Sequence, residues 1–502
     1  MAWLSQLSPV PSFPSYTGPY QVGTFHVEIP AADLPSPVPA PDPSIGTVSF
    51  RIFYPCQKPS GHQKPVRWIP QPQRAVVGAF TRFLGAGQRF SEFFPFLPSL
   101  LYYIAIPAVR NAPLLPPPTT NKRWPVMFFS HGLAGNRNTY SHICGSLSSH
   151  GIVVISMDHR DGSSPIQHVH ATKDTEAKII ESLKVSHAPS TEVYEARDGQ
   201  LRIRLWELGL AHEALLCMEQ GTKLNNLDDS CNAGRNGGWE SLLSTFKDRL
   251  DVHTPGRISF AGHSFGAATT IQFLKSVFYA SSRPSNSRHP LFVPSPDSSI
   301  AKQITASTPT ILLDLWCLPL RSPDQAWMWE KPLPAYSSKT PGGSAVLAVL
   351  SQAFVNWSGN LNDTKRAVAP PKNYDGPAAN VFYPAQSQHF SQSDFGVLFP
   401  YLTKKFLKAE EPERVLRLNM RAALQTMRNV GIEVAPTSNV DMELENDKQS
   451  PDGQDPTILS NKENAVRNWI AIETRQLGGK RVDQEKKQSP SDAIEGARAM
   501  EI

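Results

Sequence analysis

The chain has 502 residues, a formal net charge of +5, 40 % hydrophobic residues and 19 % charged residues. This length and composition are typical of a globular protein with a large core. No basic stripe with interleaved aromatic residues is present, so the sequence gives no support for nucleic-acid binding. The five cysteines are odd in number and lack C-x-x-C spacing, which favours reduced thiols over a disulfide framework or a zinc site.

The first residues, Met1 to Pro9, lack the basic region and the sustained apolar core of a signal peptide. We therefore predict a cytoplasmic protein. The most apolar stretch, Phe93 to Pro107, contains three prolines and is too interrupted for a membrane-spanning helix, which needs about 20 apolar residues. Two interpretations of this stretch stay open: a loop and helix buried on the core, or an interfacial patch that contacts lipid.

The two ends of the chain differ from its middle. A proline-rich sequence up to residue 44 predicts an extended N-terminal segment, interrupted by one alternating strand at Phe25–Ile29. After residue 434, Ser, Asn, Asp, Glu, Lys and Gln dominate. We predict that residues 434–502 form a disordered polar tail, apart from a short helix around Ala465–Thr474.

Apolar strands alternate with helical segments over residues 45–433. Strands are predicted at Thr47–Tyr54, Val126–Phe129, Ile152–Met157, Thr310–Leu313 and Ala345–Leu350, with helices near Tyr140–Ser149 and over Glu195–Met218. This alternation predicts an α/β fold with a mainly parallel central sheet and helices on both faces.

The stretch Gly262-His263-Ser264-Phe265-Gly266 lies where an apolar strand meets a helix. In that context, G-x-S-x-G predicts the nucleophile elbow of an α/β-hydrolase. A serine at the tip of so tight a turn has a strained backbone, so the residues two positions to either side must lack bulky side chains. Gly262 and Gly266 meet that requirement. We therefore predict that Ser264 is the nucleophile and that residues 45–433 are a catalytic domain.

An activated serine needs a base within reach and a carboxylate that orients the base. In α/β-hydrolases the chain order is serine, acid, histidine. Only His289 and His389 follow Ser264, and His289 lies in a loop-like insertion directly after the nucleophile helix, so His389 is the predicted base. Asp314, at the carboxyl end of a buried strand, is the predicted acid, with Asp394 as its rival.

The predicted oxyanion hole combines the backbone N–H groups of Phe265 and Leu133, the latter in the loop after an earlier strand. The other histidines are predicted to be structural or exposed; they include His142, His159, His187, His212, His253 and His263. No spacing of ligands suggests a metal, and we expect no cofactor.

Several further motifs accompany the elbow. They are Phe129-Ser130-His131-Gly132-Leu133, Tyr140-Ser141, Asp158-His159-Arg160-Asp161, Gly262 through Thr269, Leu313-Asp314-Leu315-Trp316, and His389 followed by Asp394-Phe395. Together they closely resemble the plasma-type platelet-activating factor acetylhydrolases, over roughly residues 15 to 430.

The resemblance implies an α/β-hydrolase that removes short or oxidised acyl chains from the sn-2 position of glycerophospholipids without calcium. It implies the same nucleophile, acid, base and oxyanion donors as the chain order does. The sequence also departs from the family. The run from about residue 276 to 307 is longer than expected, Ala267 replaces a usual glycine, and the C-terminal tail has no counterpart.

We therefore expect a serine lipid esterase with a phospholipid substrate and peripheral contact with membranes; no protein partner is indicated. Trp316, Leu318 and Leu320 follow the acid and are expected to bound a small acyl pocket, or else to form an ordinary buried loop. Two alternatives remain. One is a general carboxylesterase or lipase. The other, from a different class, is a catalytically silent scaffold that binds partners through its tail.

Overall fold

The computed structural model describes residues 10–59, 64–97, 100–228, 238–285, 289–443, 453–460 and 465–474. Its strands are β1 (Val22–Pro30), β2 (Thr47–Pro55), β3 (Val66–Arg67), β4 (Ala105–Ile106), β5 (Val109–Arg110), β6 (Val126–Ser130), β7 (Val153–Met157), β8 (Ile166–Val169), β9 (Lys178–Glu181), β10 (Ser259–His263), β11 (Thr310–Leu313), β12 (Val346–Val349), β13 (Asn380–Pro384) and β14 (Trp469–Ala471).

The α-helices follow the same chain order, and short 3-10 turns lie between them. The helices are α1 (Gln73–Phe83), α2 (Gln88–Phe93), α3 (Ser141–Ser149), α4 (Thr191–Gln220), α5 (Gly238–Ser244), α6 (Phe265–Phe278), α7 (Ser299–Gln303), α8 (Ala326–Trp329), α9 (Gln352–Asn356), α10 (Ser358–Val368), α11 (Asp394–Leu398), α12 (Pro400–Leu407), α13 (Pro412–Asn429), α14 (Asn439–Glu443) and α15 (Pro456–Ser460).

A ten-stranded sheet runs through the described part of the chain, in the order β14-β13-β12-β11-β10-β6-β7-β2-β1-β5. From β13 to β7 every neighbouring pair is parallel, whereas β2 is antiparallel to both of its neighbours and β14 is antiparallel to β13. The predicted α/β fold with a mainly parallel central sheet is confirmed.

The central strands are continuously apolar because both faces of the sheet are covered. In β6, Val126 and Phe128 belong to the hydrophobic core on one face, and Met127 and Phe129 belong to the core on the other. Residues of α4 and α6 line the first core, and residues of α3 and α13 line the second. Helices therefore lie on both faces, as the sequence pattern predicts.

Helix α4 is bounded by two local signals. The Ser190 side chain accepts a hydrogen bond from the backbone N–H of Val193 and caps the first turn. Gly221 ends the helix with φ of 75°, the left-handed conformation that glycine adopts without a Cβ penalty. The resulting helix has 30 residues. Its Arg204 contacts the loop after β6 at His131 and the loop after β7 at Asp161.

The N-terminal segment is part of the same domain, which differs from the predicted boundary at residue 44. Strand β1 pairs with β2 over all nine residues of each, and β5 pairs with the other side of β1. The alternating pattern at Phe25–Ile29 was a correct strand prediction. The neighbouring prolines obscured its place inside the sheet.

The expectation of a disordered tail is wrong for residues 434–443, 453–460 and 465–474. They form α14, α15 and β14, and a strand stands where a short helix was predicted. Trp469 is 1 % exposed, stacks on Phe382 with ring centroids 5.1 Å apart, and donates from Nε1 to the Ile458 carbonyl at 2.8 Å. Residues 444–452, 461–464 and 475–502 of the predicted tail lie outside the described residues.

Within the apolar stretch from Phe93 to Pro107, the described residues form the end of α2, 3-10 turns at Phe94–Phe96 and Leu100–Tyr103, and strand β4; residues 98 and 99 lie outside the described residues. Part of it is buried and part is exposed: Pro95, Ile104 and Ile106 are buried, whereas Phe93 and Phe96 are each 64 % exposed. Contact of the exposed part with lipid stays a prediction. No helix within the described residues is long and apolar enough to cross a membrane.

Trp469 tests how much the tail contributes to stability. Trp469→Ala should lower the free energy of unfolding by about 3–5 kcal/mol, because it removes a large buried side chain and leaves a cavity against Phe382. Chemical denaturation measures the change. Ile470→Ala is the matched control: its side chain is on the same strand but 40 % exposed, and a loss of about 0.5 kcal/mol or less is expected. Equal losses in both variants would contradict the packing role of Trp469.

Candidate active site

Ser264 occupies the sharp turn between β10 and α6. Its backbone has φ of 57° and ψ of −118°, a conformation that a non-glycine residue rarely adopts. At two positions beside this turn, the backbone lies too close to other backbone atoms to leave room for a side chain. A Cβ at Gly262 would lie 2.2 Å from the carbonyl oxygen of Gly266, and a Cβ at Gly266 would lie 1.9 Å from that of Ser130. The elbow geometry predicted from G-x-S-x-G is therefore present, and both glycines are sterically required.

Asp314 follows β11, the strand next to the nucleophile strand, and its side chain is fully buried. Its Oδ2 lies 2.8 Å from Nδ1 of His389, and its Oδ1 accepts a hydrogen bond from the backbone N–H of Ser351 at 2.5 Å. The backbone N–H of Ser264 donates to the carbonyl of Leu313, the residue before Asp314, at 2.9 Å. The predicted acid therefore touches the predicted base and lies beside the nucleophile turn.

His389 begins a 3-10 turn after β13, and its side chain is 11 % exposed. The imidazole packs most closely on Phe354, whose nearly parallel ring has its centroid 4.6 Å away, and on His263, whose centroid is 4.3 Å away. Within the described part of the chain, no hydrogen bond joins the Ser264 hydroxyl to His389. Such contacts are often long in ligand-free enzymes and tighten when the substrate binds.

The predicted oxyanion donors are chain neighbours of residues at the Ser264 turn. Gly132, which precedes Leu133, is so close that a Cβ there would lie 3.0 Å from Cβ of Ser264. Phe265 is the first residue of α6, where a backbone N–H has no partner within the helix. Among the described residues, neither the Leu133 nor the Phe265 N–H donates to a protein acceptor. Both are therefore available to an oxygen bound beside Ser264.

The geometry distinguishes the predicted acid, Asp314, from its rival. Asp394 is fully buried and accepts hydrogen bonds from the Trp68 indole, the backbone and hydroxyl of Ser141, and the backbone of His142, at 2.6 to 2.9 Å. It thus caps the start of α3 from a distant part of the chain. Burial raises the pKa of Asp394 to about 6, and these hydrogen bonds oppose the rise. His289, the rival base, is an exposed residue beyond α6.

Trp316 and Leu318 are both buried in the main hydrophobic core. The Trp316 ring lies edge-on to Phe265, with centroids 5.9 Å apart, and the Arg197 guanidinium lies 5.0 Å from the Trp316 centroid. Trp316 is thus adjacent to the first residue of the nucleophile helix. The role of Trp316 and Leu318 in an acyl pocket stays a prediction.

Sequence reasoning missed three neighbours of the acid–base pair. His263 was predicted to be structural or exposed, yet its ring packs on His389 and its Nε2 is 3.9 Å from Oδ2 of Asp314. Phe354 and Ser351 belong to the segment after β12 and carry no motif of their own. The position of His263 next to Ser264 was the one available signal.

His263, Asp314 and His389 also form the group with the spacing of metal ligands found among the described residues, since one atom of each lies within 4.8 Å of the others. In this group, Nδ1 of His389 already bonds Asp314. Burial also holds the pKa of His263 well below its usual value, which keeps that imidazole neutral. The predicted acid and base, Asp314 and His389, together with the neighbouring His263, are the three members of this cluster.

Comparison with known proteins supports the same interpretation. The family described as "Platelet-activating factor acetylhydrolase, isoform II" matches residues 6–449. A Schizosaccharomyces pombe protein named "Putative phospholipase A2" is 28 % identical over 436 residues, which cover 84 % of this chain and 92 % of that protein. The "Platelet-activating factor acetylhydrolase" of Canis lupus familiaris is 30 % identical over 233 residues, 45 % of this chain and 46 % of the dog protein. That of Cavia porcellus is 30 % identical over 254 residues, 50 % of this chain and 52 % of the guinea pig protein.

The family match spans most of the chain and includes every residue of the candidate site. The chain therefore belongs to the platelet-activating factor acetylhydrolase, isoform II, family, and by that membership it is an ester hydrolase.

Proposed function

We propose that the protein is a calcium-independent serine esterase that hydrolyses the sn-2 acyl ester of glycerophospholipids carrying a short, acetyl-like or oxidised chain, such as platelet-activating factor. The observation that carries the proposal is the Asp314–His389 pair at 2.8 Å beside the strained turn of Ser264. Membership of the family supports the proposed class of substrate.

The mechanism follows from the positions of these groups. His389 removes the proton from the Ser264 hydroxyl as its oxygen attacks the ester carbonyl. The N–H groups of Leu133 and Phe265 stabilise the oxyanion, and Asp314 stabilises the imidazolium. His389 then protonates the departing lyso-lipid oxygen. Water, deprotonated by His389, releases the acyl group from Ser264 as a carboxylate.

Two alternatives make different predictions. A general carboxylesterase or lipase would use the same residues but gain nothing from a phospholipid head group. A catalytically silent scaffold would not need the acid–base pair or the sterically demanding turn at Ser264. A fluorophosphonate, which reacts with activated serines, should label Ser264. Absence of labelling in folded protein would favour the scaffold.

The chain between Leu84 and Tyr103 exposes several apolar side chains, and we call this set the apolar face. Its members lie at the end of α1, on α2, and on or next to the 3-10 turns that follow. Each is between 40 % and 64 % exposed; they are Leu84, Phe90, Phe93, Phe96, Leu97, Leu100 and Tyr103. Basic groups lie on it, with the Arg74 guanidinium 4.9 Å from the Phe96 ring centroid and that of Arg67 5.4 Å from the Tyr103 centroid. Apolar side chains rimmed by cations suit a lipid–water interface.

A chain of aromatic contacts connects α1, the helix that leads into the apolar face, with His389. Phe80 of α1 contacts Phe395 with centroids 6.1 Å apart, Phe395 contacts Phe390 at 5.8 Å, and Phe390 contacts His389 at 6.3 Å. Helix α12, directly after this cluster, exposes Tyr401 and Phe406 at 71 % and 70 %. We therefore propose that the apolar face rests on the lipid surface from which the substrate is taken.

The role of each candidate catalytic group can be tested by substitution. Ser264→Ala and His389→Ala should each lower kcat by about 10⁶, and the double variant should lose little more, because the groups act as a unit. Asp314→Asn should lose less, since it misorients the base without removing it. Asp394→Asn is the matched control: it should lower the melting temperature through the lost cap of α3 and leave kcat within about tenfold. A larger kcat loss for folded Asp394→Asn than for Asp314→Asn would overturn the assignment of the acid.

The apolar face can be tested with Phe93→Ser/Phe96→Ser. Each exposed phenylalanine that enters lipid contributes up to about 1.5–3 kcal/mol, so vesicle binding should weaken at least about tenfold. Hydrolysis of a soluble ester and the melting temperature should not change. Val440→Ser, at a residue 54 % exposed on α14, is the control for loss of an exposed apolar side chain. A fall in melting temperature with unchanged vesicle affinity would assign the face to the core instead.

Substrate choice can be tested by varying only the sn-2 chain at a fixed head group. A long chain must leave the bilayer at a cost of about 0.8 kcal/mol per methylene, whereas short or oxidised chains already partition partly into water. We expect kcat/KM to fall steeply from acetyl towards palmitoyl, and chelation of calcium to change nothing. A flat or rising profile would indicate an ordinary lipase that uses the same serine.

A further inference from the structure

The hydroxyl of Tyr140 joins two parts of the site that are distant in sequence. It accepts a hydrogen bond from the backbone N–H of Gly132 at 3.2 Å and lies 2.7 Å from Nδ1 of His263. We propose that Tyr140 and His263 are positioning residues, which hold the oxyanion loop (His131–Leu133) in register with the acid–base pair. This inference rests on the proposed function.

The protonation of the pair follows from its partners. A backbone N–H can only donate, so the Tyr140 oxygen accepts from Gly132. Among the described residues, Nδ1 of His263 is the acceptor within reach of the Tyr140 hydroxyl proton, so Tyr140 donates to it. Burial raises the pKa of Tyr140 and lowers that of His263, so the phenol stays protonated and the imidazole stays neutral. The proton of His263 is therefore on Nε2, which faces Oδ2 of Asp314 at 3.9 Å.

This arrangement constrains both halves of the reaction centre. Tyr140 is the acceptor of the buried Gly132 N–H, and Gly132 immediately precedes the predicted oxyanion donor Leu133. On the other side, the His263 ring forms one of the two surfaces on which His389 packs. A displacement of about 1 Å at an oxyanion donor is enough to reduce the rate strongly, because its hydrogen bond matters most in the transition state.

Tyr140→Phe tests the link with minimal change in shape. On a soluble acetyl ester, kcat should fall about 10- to 100-fold with KM within about twofold, since ground-state binding does not use the oxyanion loop. The rate constant for labelling by a fluorophosphonate should fall by a similar factor.

Tyr336→Phe is the matched control. Tyr336 is also buried, donates from its hydroxyl to the Val368 carbonyl at 2.5 Å and accepts from the Ala379 N–H at 3.2 Å, far along the chain from the nucleophile. Both variants lose a buried hydroxyl that donates to one protein group and accepts from another, so their melting temperatures should shift alike. A kcat for Tyr140→Phe within twofold of the control would overturn the proposal.

His263 provides a second, independent test. In His263→Asn the amide oxygen can replace Nδ1 as the acceptor for Tyr140, whereas His263→Leu removes it. We expect a smaller kcat loss in His263→Asn than in His263→Leu, and Tyr140→Phe should cost less when added to His263→Leu than it costs alone. Equal losses in the two His263 variants, or additive losses in the double variant, contradict the proposal even if Tyr140→Phe does not fold. Full activity in Ser264→Ala would instead overturn the proposed function.

Discussion

The geometry of the site depends on the contacts of one buried group, the guanidinium of Arg204. It extends from α4, is completely inaccessible, and pairs with Oδ2 of Asp161 at 2.5 Å in the loop after β7. It also donates to the carbonyl of His131 at 2.8 Å and lies 4.2 Å from the ring centroid of Phe265. One cation thus joins the oxyanion loop, the neighbouring loop and the start of the nucleophile helix. A buried charge is tolerated only with such complete pairing, so loss of any partner strains the others.

A second polar group extends this support one turn further along α4. Glu207 follows Arg204 by three residues and therefore lies on the same face of the helix. Its Oε2 lies 2.7 Å from Nδ1 of His159. Nε2 of His159 in turn lies 2.8 Å from the Ser130 hydroxyl, at the end of β6. Burial raises the pKa of Glu207 to about 8 and lowers that of His159. Helix α4 therefore carries buried polar groups at the positions that contact the loops of the site. The leucine pattern of the helix alone did not indicate these polar contacts.

The sequence predicted the parts of the site that follow from strand order. Ser264, Asp314 and His389 each lie just past the carboxyl end of a strand, and β10, β11, β12 and β13 are consecutive neighbours in one parallel sheet, so their ends meet at one edge. His263 and Tyr140 could not be predicted in this way. They are 123 residues apart, and their contact depends on how α3 packs against the sheet rather than on a local pattern.

The tail shows why average composition failed as a guide to order. A polar segment becomes ordered when a few apolar residues meet a surface that is already formed, and the open edge of β13 supplies such a surface for β14 and Trp469. Strand β14 lies beyond the family match, which ends at residue 449. The carbonyl of Asn468 nevertheless accepts a hydrogen bond at 2.8 Å from the N–H of Ala385, four residues before His389. The segment that carries the base is thus held in part by residues outside the family pattern, so this extension belongs to the architecture of the site.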